Sequence, residues 1–166
     1  SPLTNIADLK AQIAACKKGE TELLKVVDKY GLKTVFRFQE LVCQNAENAV
    51  RESIKTIKST KVTYQMDNDL SGAVRKIQIK LTRNKDNSSI EVDFNGTTMQ
   101  LESNYNAPLP VTRAAVLYAF RILTGGNIPM NSGIMKPIKI KIPKASMLSP
   151  EYPAAVIAGN VETSQA

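Results

Sequence analysis

Apolar residues recur at helical spacing along the first part of the chain. Ile6, Leu9, Ile13 and Cys16 or Lys17 open the series, and after Gly19 it resumes at Leu23, Leu24, Val27 and Tyr30. Steps of three and four residues put such side chains on one helix face. Asn5 is the expected N-cap, with Asp8 three residues on in the manner of a capping box. Gly31 is expected to end this helix, because the residue there commonly takes a positive φ that glycine adopts without strain. A second helix is expected from about Thr34 to Ile57. Its apolar face is Val35, Phe38, Leu41, Val42, Ala46, Ala49, Val50, Ile54 and Ile57, with Arg37, Glu40, Gln44, Glu47 and Arg51 mostly opposite. The two segments together predict an antiparallel helical pair.

The period then changes from about 3.6 to 2. Val62 and Tyr64 alternate with polar neighbours, as do Ile77, Ile79 and Leu81. Asn84 to Ser88 is a turn, and Ile90, Val92 and Phe94 point one way while Glu91 and Asp93 point the other. This predicts a hairpin with one buried face. Asn95-Gly96 is a turn signal, with a short strand expected over Thr98 to Leu101. A third helix is expected from about Thr112, carrying Val116, Leu117, Phe120 and Leu123 and ending at Gly125-Gly126. Ile138, Ile140 and Ile142 predict a late strand, and the remainder of the chain is rich in turns. The fold class is α+β: an N-terminal helical pair, an antiparallel sheet of short strands, a further helix and long loops rich in Pro, Gly and Asn. No repeat or linker divides the chain, so residues 1–166 read as a single domain.

Composition narrows the chemistry. The chain has 166 residues and no His. That removes the commonest general base and metal ligand, and with it a Ser-His-Asp triad, a Cys-His pair or a self-contained zinc site. The net charge of +7 comes from 22 basic and 15 acidic residues. The lysines are scattered singly and no RNA-binding aromatic signature appears, so solvated faces are expected rather than a nucleic-acid surface. No apolar run approaches the roughly 20 residues that span a bilayer. Cys16 and Cys43 are expected to be free, buried thiols. The start, Ser1-Pro2-Leu3-Thr4-Asn5, has neither the basic beginning nor the apolar stretch of a signal peptide. It also lacks Met, so the chain is expected to begin inside a longer one.

Several polar clusters have both a structural and a chemical reading. Asp67-Asn68-Asp69 with Gly72 has the start of a calcium loop, but the twelfth position is Gln78 rather than Glu, which favours a polar turn. Glu91 and Asp93 share a strand face. Glu91 reads as an exposed partner for Lys76 or Lys80, whereas Asp93, at a strand end beside a turn, is equally a candidate acid or base. Asn106-Ala107-Pro108 leads toward a helix for which Thr112 is the expected N-cap, and a helix start favours an anionic or oxyanionic ligand. Asn131 in Pro129–Gly133 and Glu162 in the last block share this ambiguity. Gly125-Gly126 follows a helix rather than opening one, so no phosphate loop is expected.

Taken in order, these segments resemble the hydantoinase B family. The resemblance rests on Asp8–Ala15, Gly19, Tyr30-Gly31, Arg51, Val92-Asp93-Phe94-Asn95-Gly96-Thr97, Asn106-Ala107-Pro108 with Thr112, Ile128–Gly133, Lys136-Pro137, Pro150 with Pro153–Val156, and Gly159-Asn160-Val161-Glu162-Thr163-Ser164. Members are much longer, and Leu70 and Ser71 lengthen a turn that is commonly more compact. The resemblance implies an interior fragment of an ATP-dependent enzyme that opens cyclic amides such as hydantoins or 5-oxoproline. It also implies a hydantoinase A type partner that binds ATP and Mg, a cytoplasmic location, and little activity for the fragment alone. A subunit of an ATP-dependent ketone carboxylase is the alternative within the family, and a non-catalytic basic binding module is the alternative outside it. On this reading Asp93 and Glu162 are the catalytic candidates, Asn106, Thr112 and Asn131 would bind substrate, and no metal ligand is expected here.

Overall fold

Isoleucine and valine alternate with charged and polar residues between positions 75 and 94. In the computed structural model, which describes residues 1–66, 74–86, 88–125 and 128–165, that stretch is a hairpin. Strand β2 (Arg75–Arg83) pairs antiparallel with β3 (Ile90–Asp93), setting Leu81 against Val92. Ile77, Ile90 and Val92 are buried, while Glu91 and Asp93 on the other face are half-buried. Strand β1 (Thr60–Met66) pairs antiparallel with the outer side of β2. As the edge strand it leaves Val62 and Tyr64 exposed, so the expected buried face stops at β2.

The fourth strand departs from expectation. β4 (Ile138–Lys141) pairs in parallel with β3, matching Ile90 to Ile138 and Val92 to Ile140. The sheet is therefore mixed, in the order β1-β2-β3-β4. A parallel neighbour requires a crossover, and here it contains helix α3 (Leu109–Leu123). Val116 and Phe120 of α3 join Ile77, Ile90, Val92 and Ile138 of the sheet in one buried cluster. The segment Thr98–Leu101 supplies only a single bridge, Met99 to Ser146.

The chain forms two compact units, Ser1–Val42 and Cys43–Ala166. In the first, helix α1 (Pro2–Tyr30) runs unbroken through Gly19, and none of its residues is buried. It begins before Asn5: Ser1 is the N-cap, and Pro2 supplies a φ already suited to a first helical turn. Gly31 takes φ 81° and is the single residue between α1 and helix α2 (Leu32–Thr56). In the second unit the last turns of α2 bury Ala46, Val50 and Ile54 in the same cluster as the sheet.

Two short helices were not expected. Residues Ser132–Met135 form a 3-10 helix, and Ala158–Gln165 form helix α4. Neither carries the repeated apolar spacing that marks the longer helices. Cys16 and Cys43 are both free, but neither is buried: Cys16 is exposed because α1 buries nothing, and Cys43 is half-buried. No helix among the described residues is long and apolar enough to cross a membrane. The Asp67–Gly72 turn and Gly126 lie outside the described residues.

The burial pattern sets two expectations. Truncating fully buried Ile90 to Ala should lower unfolding stability by about 2–5 kcal/mol in a urea titration. Truncating exposed Val62 to Ala should change it by no more than about 0.5 kcal/mol.

Candidate functional site

Helix α4 meets the chain segment that precedes α3. Asn106 bridges in parallel to Val156, and the Gly159 N–H donates to the Asn104 carbonyl at 3.2 Å. A Cβ on Gly159 would collide with the carbonyl oxygens of Tyr105 and Asn106, so only glycine permits this approach. Asn106 is completely buried. Its Oδ1 accepts from the Leu101 N–H at 2.7 Å, and its Nδ2 donates to the carbonyls of Leu101 (2.8 Å), Ser103 (3.0 Å) and Ala155 (2.8 Å). One side-chain amide thus closes the 101–106 loop and ties it to the α4 approach.

Around this junction several buried polar atoms have no partner among the described residues. Ser103 Oγ, Asn160 Oδ1 and Thr163 Oγ1 are all shielded from solvent without a hydrogen bond. Burying a hydroxyl or amide oxygen unpaired costs about 1–3 kcal/mol, and an ordered water, an ion or a ligand is what commonly satisfies such an atom. On α4, Gly159 and Thr163 form the buried stripe, while half-buried Asn160 and Glu162 flank it on opposite sides. Beside Asn106, the Tyr105 ring stacks on the buried Arg75 guanidinium, 4.9 Å from its centroid. Thr163 also lines a cavity of about 390 Å³ between the sheet and α3, together with Ile77, Val92, Thr112, Val116 and Phe120.

The sequence-derived candidates divide between this junction and other places. Asn106 lies at it, Thr112 shares a cavity wall with Thr163, and Glu162 is a half-buried residue of α4. Thr112 is not the N-cap of α3, which is Pro108; it lies in the first turn, buried, with its hydroxyl donating to the Leu148 carbonyl at 3.2 Å. Asp93 instead accepts from the Asn95 N–H at 2.9 Å, holding the turn after β3. Asn131 caps the 3-10 helix: its Oδ1 accepts from the Gly133 N–H at 2.8 Å and its Nδ2 donates to the Pro129 carbonyl. Glu91 forms ion pairs with Lys141 (2.8 Å) and Lys139 (3.7 Å). The hydrogen bond from Lys141 holds the Glu91 carboxyl below its ordinary range, which keeps it ionised.

Three residues that sequence patterning placed only on a helix face or in a loop also converge. Glu47 accepts from Arg51 at 2.6 Å and faces Lys136 at 3.2 Å, while Arg51 also donates to the Ser88 carbonyl. The i,i+4 spacing of Glu47 and Arg51 signalled their pairing; nothing in the sequence signalled that Lys136 would join them. Glu47 therefore links α2 to the approach of β4. Its carboxyl is held below the ordinary value of 4.5, first by Arg51 and then by Lys136.

The profile of the family described as Hydantoinase B/oxoprolinase matches residues 1–166. The chain belongs to the hydantoinase B/oxoprolinase family. A 5-oxoprolinase of Arabidopsis thaliana is 39% identical over 97% of the chain, and the chain spans 14% of that relative's length. A protein of Pseudomonas sp. named as a putative D-/L-hydantoinase subunit is 33% identical over 95% of the chain, which spans 29% of it. Among solved structures, an ATP-dependent caprolactamase from Pseudomonas jessenii superposes over 92% of the chain and 27% of its own length, with a TM-score of 0.71 at 17% identity. That likeness shows a shared α+β fold. The chain is thus similar to a short portion of much longer relatives.

Two measurements test this geometry. Asn106→Ala removes four hydrogen bonds made by a fully buried amide to the backbone of Leu101, Ser103 and Ala155, and should cost about 3 kcal/mol or more in a urea titration. For Glu47 the folded-state value lies below the unfolded one. Its contribution is therefore full above pH 4.5 and is lost as pH falls through the lowered value. Glu47→Gln should lower stability at neutral pH and flatten the loss between there and strongly acidic pH.

Proposed function

We propose that this chain forms part of the hydantoinase B portion of an ATP-dependent enzyme that opens cyclic amides of the hydantoin or 5-oxoproline class. The observation that carries the reading is the group of unpartnered buried oxygens at the α4 junction: Ser103 Oγ, Asn160 Oδ1 and Thr163 Oγ1. A cyclic amide presents one N–H donor and one C=O acceptor held on the same side by its ring. An amide oxygen such as Asn160 Oδ1 accepts from the N–H, while hydroxyls such as those of Ser103 and Thr163 donate to the carbonyl. When water adds to that carbonyl, negative charge develops on its oxygen, and oriented neutral donors then bind more strongly than in the ground state.

Opening the ring breaks the C–N bond, and the departing nitrogen requires a proton. Glu162, beside Thr163 on α4, is assigned that transfer. Asn106 is assigned to positioning, since its amide holds the loop that bears Ser103 and Tyr105. Asp93 and Asn131 are assigned to the turns they stabilise.

The reading assigns ATP and Mg to a hydantoinase A type partner, and the assembly to the cytoplasm. The name of the Pseudomonas relative, a hydantoinase subunit, supports a partnered arrangement. A basic nucleic-acid module has less support, because Lys18, Lys25, Lys55, Lys136, Lys139 and Lys141 are each committed to a carboxylate rather than gathered on one open face.

The experiment is steady-state turnover of the full-length protein assembled with its partner, using 5-oxoproline, hydantoins and a simple ketone with bicarbonate. Cyclic amides should be turned over and the ketone should not. Thr163→Val and Asn160→Ala should each lower kcat by roughly 10- to 1000-fold, as loss of a transition-state donor or of substrate orientation does. Glu162→Gln should lower kcat by a comparable factor while leaving assembly with the partner intact. Unchanged turnover in all three variants, or activity on the ketone alone, would reject the assignment.

A further inference from the structure

Helix α1 carries a seam with no cover among the described residues. From Ile6 the residues Ile6, Leu9, Ile13, Cys16, Glu20, Leu23, Val27 and Tyr30 follow at alternating steps of three and four. These are the a and d positions of a heptad repeat, and Glu20 is the sole charged residue in the series. Ile6, Leu9, Ile13 and Leu23 are between 49% and 58% exposed. A strict heptad seam of this length is more than a solvated helix needs.

Among the described residues, Asp8, Lys10, Lys17, Glu20 and Asp28 of α1 carry no ion pair. Lys18, Glu22 and Lys25 lie on the outer side and pair with one another, Lys18 to Glu22 at 2.6 Å and Lys25 to Glu22 at 3.0 Å. Glu20 in the seam and Lys17 on its flank carry no ion pair among the described residues, although they are three residues apart on one helix. Gly19, at the middle of the seam, has nothing near the place a Cβ would occupy. A glycine inside an exposed helix costs about 1 kcal/mol relative to alanine, and close approach of another helix is what commonly offsets it.

We propose that α1 pairs antiparallel with α1 of a second copy of this chain, the two crossing near Gly19. The seam is self-complementary in that direction: Ile6 meets Tyr30 of the second copy, Leu9 meets Val27, Ile13 meets Leu23, and Cys16 meets Glu20. At the centre, the Glu20 carboxylate of each copy reaches the Lys17 ammonium of the other, which pairs the one charge inside the seam. A parallel pair would instead stack Glu20 on Glu20 inside the seam, a repulsion that selects against it. The paired length, from Ile6 to Tyr30, is about 37 Å at 1.5 Å per residue, in the range of stable short coiled coils.

The test uses the full-length protein. Glu20→Cys places a thiol opposite native Cys16 of the other copy, so mild oxidation should give a chain of doubled mass on a non-reducing gel, reversed by reductant. Glu22→Cys, on the outer side, should give none. Sedimentation supplies a second readout: Lys17→Glu and Glu20→Lys should each weaken self-association by roughly tenfold or more, and an equimolar mixture of the two variants should restore it. Absence of the doubled chain from Glu20→Cys, equal crosslinking from Glu22→Cys, or no restoration in the mixture would overturn the proposal. Each of these results would assign the seam to a different helix, from elsewhere in a longer polypeptide or from another protein.

Discussion

The second unit depends on how the Asn106 side chain is satisfied. A primary amide in the interior offers two donors and one acceptor, and leaving any of them unpaired would cost more than the side chain contributes by packing. Here both sides of the amide are taken by backbone, on Leu101, Ser103 and Ala155. That commitment sets the loop before α3 against the segment before α4, and Gly159 then allows the two backbones to approach closely. The unpaired oxygens of Ser103, Asn160 and Thr163 lie on the segments so joined. The site and the fold therefore share one constraint: the groups that hold the loop are fully bonded, and the groups beside them are not.

A second constraint comes from the parallel pairing of β3 with β4. Placing β4 beside β3 in the same direction obliges the chain to cross over the sheet, and α3 is carried across its buried face as a result. Val116 and Phe120 then complete the core built by Ile77, Ile90 and Val92. The same crossing brings Thr112 to the Leu148 carbonyl and sets Thr163 on the wall of the cavity beneath α3. Glu47, Arg51 and Lys136 fasten the far side, joining α2 to the approach of β4 through an ion pair and hydrogen bonds that depend on an ionised carboxylate.

Helix α1 obeys different physics. It has no buried residue, so its continuity through Gly19 comes from local hydrogen bonding and length rather than from tertiary packing. Its apolar residues remain exposed in the unit to which it belongs. An exposed seam of this regularity is unusual for a helix that ends its interactions in water, and Lys17 and Glu20, two of its charges without an ion pair among the described residues, lie at its centre.

Periodicity alone was sufficient for the three long helices, the β2–β3 hairpin and the position of β4, because each buries or presents one face and so repeats in the sequence. Gly31 as the break between helices followed from the same reasoning. The α4 helix was not legible, since Ala158–Gln165 has no apolar repeat and is held by a glycine contact and one buried threonine. Thr112 reads as a cap from its residue type, yet Pro108 four residues earlier starts the helix and turns Thr112 inward. Asn106, Thr112, Asn131, Asp93 and Glu162 were all recognisable as polar residues at turns or helix starts. Which of them would share a junction was decided by the parallel β3–β4 crossover and the Asn106 amide, because convergence depends on distances through space that no local pattern records.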